Sequence, residues 1–134
     1  MITASLQNYR ISPRKVRVVA DMIRGKKVAD AEIILTNAVK KAKHPLKDLL
    51  LSAVSNASHN YKIDKGNLMV KEIRVDQGYI LKRQMPMSRG SAFPIKKRTS
   101  HVLISLAPIS GKAVSKKAAP KAKVAGDKPS STKK

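Results

Sequence analysis

The residue types that could carry out chemistry are few in this chain and poorly placed for it. His44, His59 and His101 are the imidazoles, and none lies three or four residues from another, so the helical spacing that presents two histidines to one metal is missing. There is no Cys, which removes thiol nucleophiles, zinc ribbons, iron–sulfur clusters and disulfides. Ser88 and Ser91 have no neighbouring base to take a proton. Gly25, Lys26 and Lys27 lack the upstream glycine and the following Ser or Thr of a phosphate-binding loop. Glu72 and Asp76 lie on one segment without a partner carboxylate, and Asp21 lies among arginines, where an ion pair is the ordinary outcome. His59 falls at the end of an expected helix, where a cation favours the dipole. The expectation is no catalytic residue, no metal site and no cofactor.

What remains is positive charge. The 134 residues hold 29 Lys and Arg against 8 Asp and Glu, a formal +21, and an excess of that size predicts a polyanionic partner. Self-repulsion lowers the stability of such a chain, so counter-charges are expected around it in its working state. Runs of aliphatic or aromatic residues never exceed three, as in 33–35 and 49–51. That is far below the roughly 20 residues of a membrane span or the 7–15 of a secretory signal. A soluble protein with no membrane partner, working where it is made, is expected.

The charge is unevenly spread. Residues 1–78 carry 15 basic and 7 acidic side chains, 79–107 carry 6 and none, and 108–134 carry 8 and one. The first part is a mixed surface that can fold. From 108 onward Lys, Ala, Pro, Ser and Gly dominate and no core can form, so a disordered basic tail is expected over 108–134, with the folded domain at 1–107. Two readings of the tail stand, a solubilising segment or a diffuse arm lying on phosphates.

Ser12 followed by Pro13 predicts a helix start, and Gly25 its stop. Between them Val16, Val19, Ala20 and Ile23 make one apolar stripe, and at 100° per residue Arg14, Arg17 and Arg24 fall within about 80° of one another away from it. A second helix is predicted over about 28–35, with Val28, Ala31, Ile34 and Leu35 inward. A third ends near Tyr61, with Leu46, Leu49, Leu50, Ala53, Val54 and Ala57 in its stripe and Pro45 in its first turn or at a kink. The stretch 38–44 follows no clear period. After a turn at Asp64, Lys65 and Gly66 the pattern alternates: Ile73 and Val75 face one way, Glu72, Arg74 and Asp76 the other. Val102, Ile104 and Leu106 form a second strand, and residues 3–11 a third. The predicted fold is α+β, a small three-stranded antiparallel sheet with three helices packed on one face.

Residues 79–98 separate the two later strands and hold six cations, no anion and two prolines. A loop this long inside a small domain is functional or disordered. If its ends pair as strand extensions, ten residues per arm at about 3.3 Å reach roughly 30 Å beyond the body. A two-stranded ribbon is marginal alone in water, so its Ile80, Leu81, Met85, Met87, Phe93 and Ile95 need a surface from a partner. Cations would meet phosphates while Met, Phe and Pro pack on bases or sugars, and the arm is expected to order on binding. Aromatics make up 3% of the chain and are scattered, which argues for recognition through backbone and shape, as in folded RNA. An architectural DNA-bending protein shares that economy and stays open on composition.

Five strings decide between these. RISPRKVRVVADMIRGK at 10–26, SAVSNASHNY at 52–61, VKEIRVDQG at 70–78, LKRQMP at 81–86 and KKRTSH at 96–101 together resemble, in order and spacing, the large-subunit ribosomal protein L twenty-two family of bacterial or organellar type. The resemblance covers about residues 3–107. It implies a globular domain on the large ribosomal subunit and a long β-hairpin, 79–98, that runs through ribosomal RNA and lines the nascent-peptide exit tunnel. It implies as partners large-subunit ribosomal RNA, neighbouring ribosomal proteins and the nascent polypeptide, rather than a homo-oligomer, and a role in subunit assembly.

Carried over by position, the RNA contacts would be Arg10, Arg14, Lys15, Arg17, Arg24 and Lys26 in the first block. Lys82, Arg83, Arg89, Lys96, Lys97, Arg98 and His101 follow in the later ones. The tunnel tip would comprise Met85, Pro86, Met87, Ser88, Arg89, Gly90, Ser91, Ala92 and Phe93. At the tip the chain departs from the family pattern, with Met87 and Ser91 where further arginines are common and with Phe93 and Pro94 added, so a less polar tunnel wall is expected. An N-terminus without transit-like character points to cytoplasmic ribosomes ahead of organellar ones.

Overall fold

Pro13 has no amide hydrogen to lose and a φ already suited to a first helical turn, and helix α1 (Pro13–Ile23) begins on it. Ser12 is the N-cap residue, but its carbonyl, not its hydroxyl, receives the first amides, those of Lys15 and Val16 at 3.0 and 3.3 Å. Val16, Val19, Ala20 and Ile23 are fully buried, as the stripe requires, and the left-handed Gly25 (φ 72°) ends the segment. The computed structural model describes residues 2–109. The readings made for the tail from 110 onward lie outside the described residues.

The remaining elements are strand β1 (Ile2–Tyr9), helices α2 (Val28–Asn37) and α3 (Lys43–Tyr61), strand β2 (Leu68–Pro86) and strand β3 (Ala92–Pro108). Short 3-10 turns occupy Lys65–Asn67 and Ser88–Gly90. Pro45 sits in the first turn of α3, where an absent amide hydrogen breaks nothing. The strands form one antiparallel sheet in the order β1-β3-β2, with β3 in the centre. The helices cover one face: α1 lies over β2 and β3, α3 over β1 and β3, and α2 packs against α1 and α3. Their stripes meet Ile2, Ala4, Val70, Ile73, Val75, Val102, Ile104 and Leu106 in a single apolar core. This is the α+β architecture that the periodicities predict. Lys65 pairs with Glu32, tying the 3-10 turn to α2 and holding the Glu32 carboxyl below its usual range. That tether is present at neutral pH and is lost as pH falls through the depressed value.

Strict alternation cannot point Val70, Ile73 and Val75 all inward, because one of the gaps is odd. A register shift between Val70 and Glu72 inserts the extra residue that restores the buried side. The same shift turns the carbonyls of Ile73 and Val75 to the outer edge of β2, where α1 runs alongside. Arg17 donates to the Val75 carbonyl from Nε and Nη2 at 3.2 and 2.9 Å, and Arg24 to the Ile73 carbonyl at 3.2 Å. The backbone continues the seal, with the Gly25 amide on the Val70 carbonyl and the Val70 amide on the Lys26 carbonyl, at 3.0 and 2.9 Å. An open edge that could pair with another chain is closed by guanidinium groups. Arg17→Met, which keeps the aliphatic stem and removes both donors, is expected to cost about 1–2 kcal/mol. A urea midpoint that falls at constant slope would show it, and an unmoved midpoint would not fit.

Beyond Tyr9 and Ser100 the sheet narrows to two strands. The arm is a regular ribbon, paired from Ile80 with Arg98 through Lys82 with Lys96 to Pro86 with Ala92. No core residue falls between Val75 and Val102, so the arm contributes nothing to the packed interior.

Candidate nucleic-acid interface

Three pieces of chain converge at the root of the arm. The first is the turn from β1 into α1, with Arg10, Ile11, Ser12, Lys15 and Val18. The second is the connection between α2 and α3, with Val39, Lys40, Lys41 and Ala42. The third is the arm itself, with Leu81, Arg83 and the run from Lys96 to Thr99. Together they line a groove of about 1210 Å³ that carries eight cationic side chains and no carboxylate. Its size exceeds the roughly 300–1,000 Å³ of small-ligand pockets, and its lining suits a bend of phosphate backbone.

The α2–α3 connection reaches the groove because both of its ends are pinned. Ala38 and Ala42 are buried, and the amide of Ala38 closes α2 on the Ile34 carbonyl at 3.0 Å. The three residues between them are pushed outward, and Val39 is 96% exposed. An aliphatic side chain so placed among lysines can pack on a sugar or base while its neighbours meet phosphates.

Of the expected RNA contacts, Arg10, Lys15, Arg83, Lys96, Lys97 and Arg98 come together in this groove. Lys82 lies directly across from Lys96, a like-charge pair that repels until an anion lies between. Arg14 and Lys26 are exposed on the body outside the groove, and Arg89 is at the far end of the arm. Arg17 and Arg24 are committed to the β2 edge, and Arg24 also pairs with Asp21 at 2.7 Å. His101 accepts a hydrogen bond at Nδ1 from the Asn8 backbone amide at 3.2 Å, which ties it to β1. Lys40 and Lys41 are absent from the expected set. Their signal was a lysine pair in a stretch that fits neither period, which is where a loop displays charge.

At the tip, Met85 faces Phe93 across the ribbon, and Met85, Met87 and Phe93 are all exposed, Phe93 by 60%. The turn is held from within. The Met87 amide donates to the Ser91 carbonyl and the Ser91 hydroxyl to the Ser88 carbonyl, both at 2.8 Å, while Arg89 and Gly90 take left-handed conformations. Ser91 is therefore a structural element of the turn rather than a bare gap in charge. Among the described residues no cluster of His, Asp and Glu could hold a metal, and no helix is long and apolar enough to cross a membrane.

A protein of Desulfitobacterium hafniense described as "Large ribosomal subunit protein uL22" is 55% identical over 95 residues, 71% of this chain and 83% of the relative. One of Lactobacillus delbrueckii subsp. bulgaricus with the same description is 50% identical over 101 residues, 75% of this chain and 86% of the relative. The family model for "Ribosomal protein L22p/L17e" matches residues 4–107, which take in all three helices, the groove, the whole arm and the three strands except Ile2, Thr3 and Pro108. The chain belongs to this ribosomal protein family.

Proposed function

We propose that the chain is a structural constituent of the large ribosomal subunit that binds ribosomal RNA through the groove and the arm, with the arm lying along the nascent-peptide exit tunnel. The observation that carries this reading is the groove of eight cations and no carboxylate, continuous with an arm that shares nothing with the core. Membership of the family and relatives described as large-subunit proteins support it. Folded RNA neutralises the groove and fills in around the ribbon, a surface the free protein cannot supply for Met85, Met87 and Phe93. In that setting the protein braces RNA segments during assembly and contacts neighbouring ribosomal proteins on cytoplasmic ribosomes. The exposed Met85, Met87 and Phe93 present a less polar wall to the passing polypeptide.

Competition between folded large-subunit RNA and plain duplex DNA of equal length separates this reading from DNA bending. The RNA is expected to win at physiological salt, with new hydrogen-exchange protection concentrated in the distal ribbon, residues 85–93. Equal competition, or equal protection of the arm in free and RNA-bound protein, would refute it. Met87→Arg places a cation at the tip and is expected to change nascent-chain stalling or macrolide sensitivity of ribosomes that carry it. Unaltered stalling and sensitivity would remove the tip from the tunnel wall.

A further inference from the structure

The arm leaves the body at a point where both outer strands bulge against the central one. On the β2 side the register jumps between Gln77 and Ile80, which sets Gly78 and Tyr79 against Thr99 alone. On the β1 side it jumps between Leu6 and Tyr9, which sets Gln7 and Asn8 against His101 alone. Ser100 lies between the two, paired to Tyr9 on one side and Gln77 on the other, and is fully buried. A bulge bends its strand and increases the local twist, so two bulges flanking one residue re-aim everything beyond it.

A bulge also takes backbone groups out of the ladder, and here β3 side chains pick them up. The Thr99 hydroxyl, 1% exposed, donates to the Tyr79 carbonyl at 2.7 Å. His101 Nδ1 accepts from the Asn8 amide at 3.2 Å, and Asn8 takes the left-handed φ of 57° that short polar side chains tolerate. Gly78 leaves room for both. A Cβ there would lie 2.5 Å from Thr99 Oγ1 and 2.8 Å from His101 Nε2.

We propose that Thr99 and His101, packed against Gly78, lock the two bulges and so fix the angle at which the arm leaves the body, which makes them positioning residues for the interface. Groove and arm then meet RNA in one preset arrangement, with ordering left to the distal ribbon. The link to RNA rests on the proposed function, but the lock itself is a property of the free protein. Preorganisation of this kind lowers the ordering cost on binding.

The chain has no Cys, so a spin-label pair at Gln84→Cys on the arm and Ser52→Cys on the exposed face of α3 reports the angle without competing thiols. Gln84 is five residues past Tyr79, about 16 Å at ~3.3 Å per residue, so a tilt of about 20° moves the label roughly 5 Å. A single narrow distance distribution is expected for the otherwise unaltered chain. Gly78→Ala, Thr99→Val and His101→Ala are each expected to shift or broaden it. Gly66→Ala, where an added Cβ meets nothing within 4 Å, is expected to leave it alone. Should Gly78→Ala fail to fold by circular dichroism, Thr99→Val decides, since it keeps the side-chain volume and removes the hydroxyl. A broad distribution in the parent, or one that Thr99→Val and His101→Ala leave unchanged, overturns the lock. A parent chain that shows the narrow distribution yet binds no large-subunit RNA would instead count against the proposed function and leave the lock standing.

Discussion

Replacing Lys40, Lys41, Lys96 and Lys97 together by Ala is expected to weaken binding to large-subunit RNA about 10³-fold at 0.15 M salt. Each phosphate contact contributes roughly 0.9 to the slope of log affinity against log salt on duplex geometry, so four contacts account for about 3.6 of it. The same variant should therefore show a slope shallower by that amount, with the two titrations converging toward 1 M salt. All four side chains are exposed and line the groove from two separate elements, and none belongs to the core. The fold should survive the change, and relief of like-charge repulsion between Lys82 and Lys96 should help it slightly. An unchanged slope would show that the groove does not hold phosphates.

Removal of the arm is the second large effect, and here stability and binding should part company. Ile80 and Arg98 face each other directly, so replacing residues 81–97 with a two-residue Asn-Gly turn closes a short hairpin at a natural pair. The bulges at Gly78 and Asn8 and the Thr99 bond to Tyr79 are kept. Because the core stops at Val75 and resumes at Val102, the unfolding temperature should move by less than about 5 °C, under roughly 1 kcal/mol for a body of this size. Five cations leave with the arm, Lys82, Arg83, Arg89, Lys96 and Lys97. By the same slope arithmetic RNA affinity should fall by about 10³–10⁴ at 0.15 M salt. A large loss of stability would mean that the arm is part of the fold; an intact affinity would mean that it is not part of the interface.

Much of this architecture was legible in the residues, for a physical reason. Val16, Val19, Ala20 and Ile23 repeat at the helical period because one side of α1 must leave water, and Val102, Ile104 and Leu106 alternate because one face of β3 must. The arm showed itself by charge and length. What the residues could not show is which neighbour each face meets. The face of Arg14, Arg17 and Arg24 was correctly placed away from the apolar stripe, yet two of its guanidinium groups turn to the edge of β2. That outcome depends on a bulge after Val70 that no single-strand pattern reveals. Lys40 and Lys41 reach the groove because Ala38 and Ala42 are buried beside them, a tertiary fact. His101 reads as an RNA or sheet-surface contact at the end of a basic string, and the bulge in β1 that supplies its backbone amide is not visible in that string.

The central claim, that groove and arm together seat this protein on the large ribosomal subunit, is tested most directly by sucrose-gradient fractionation of lysate containing the tagged chain, beside the four-lysine variant and the arm replacement. The account predicts that the parent chain sediments with large subunits and remains there in moderate salt, while both variants shift to the top of the gradient as folded protein. Parent chain at the top of the gradient, or variants that sediment with large subunits as the parent does, would contradict it.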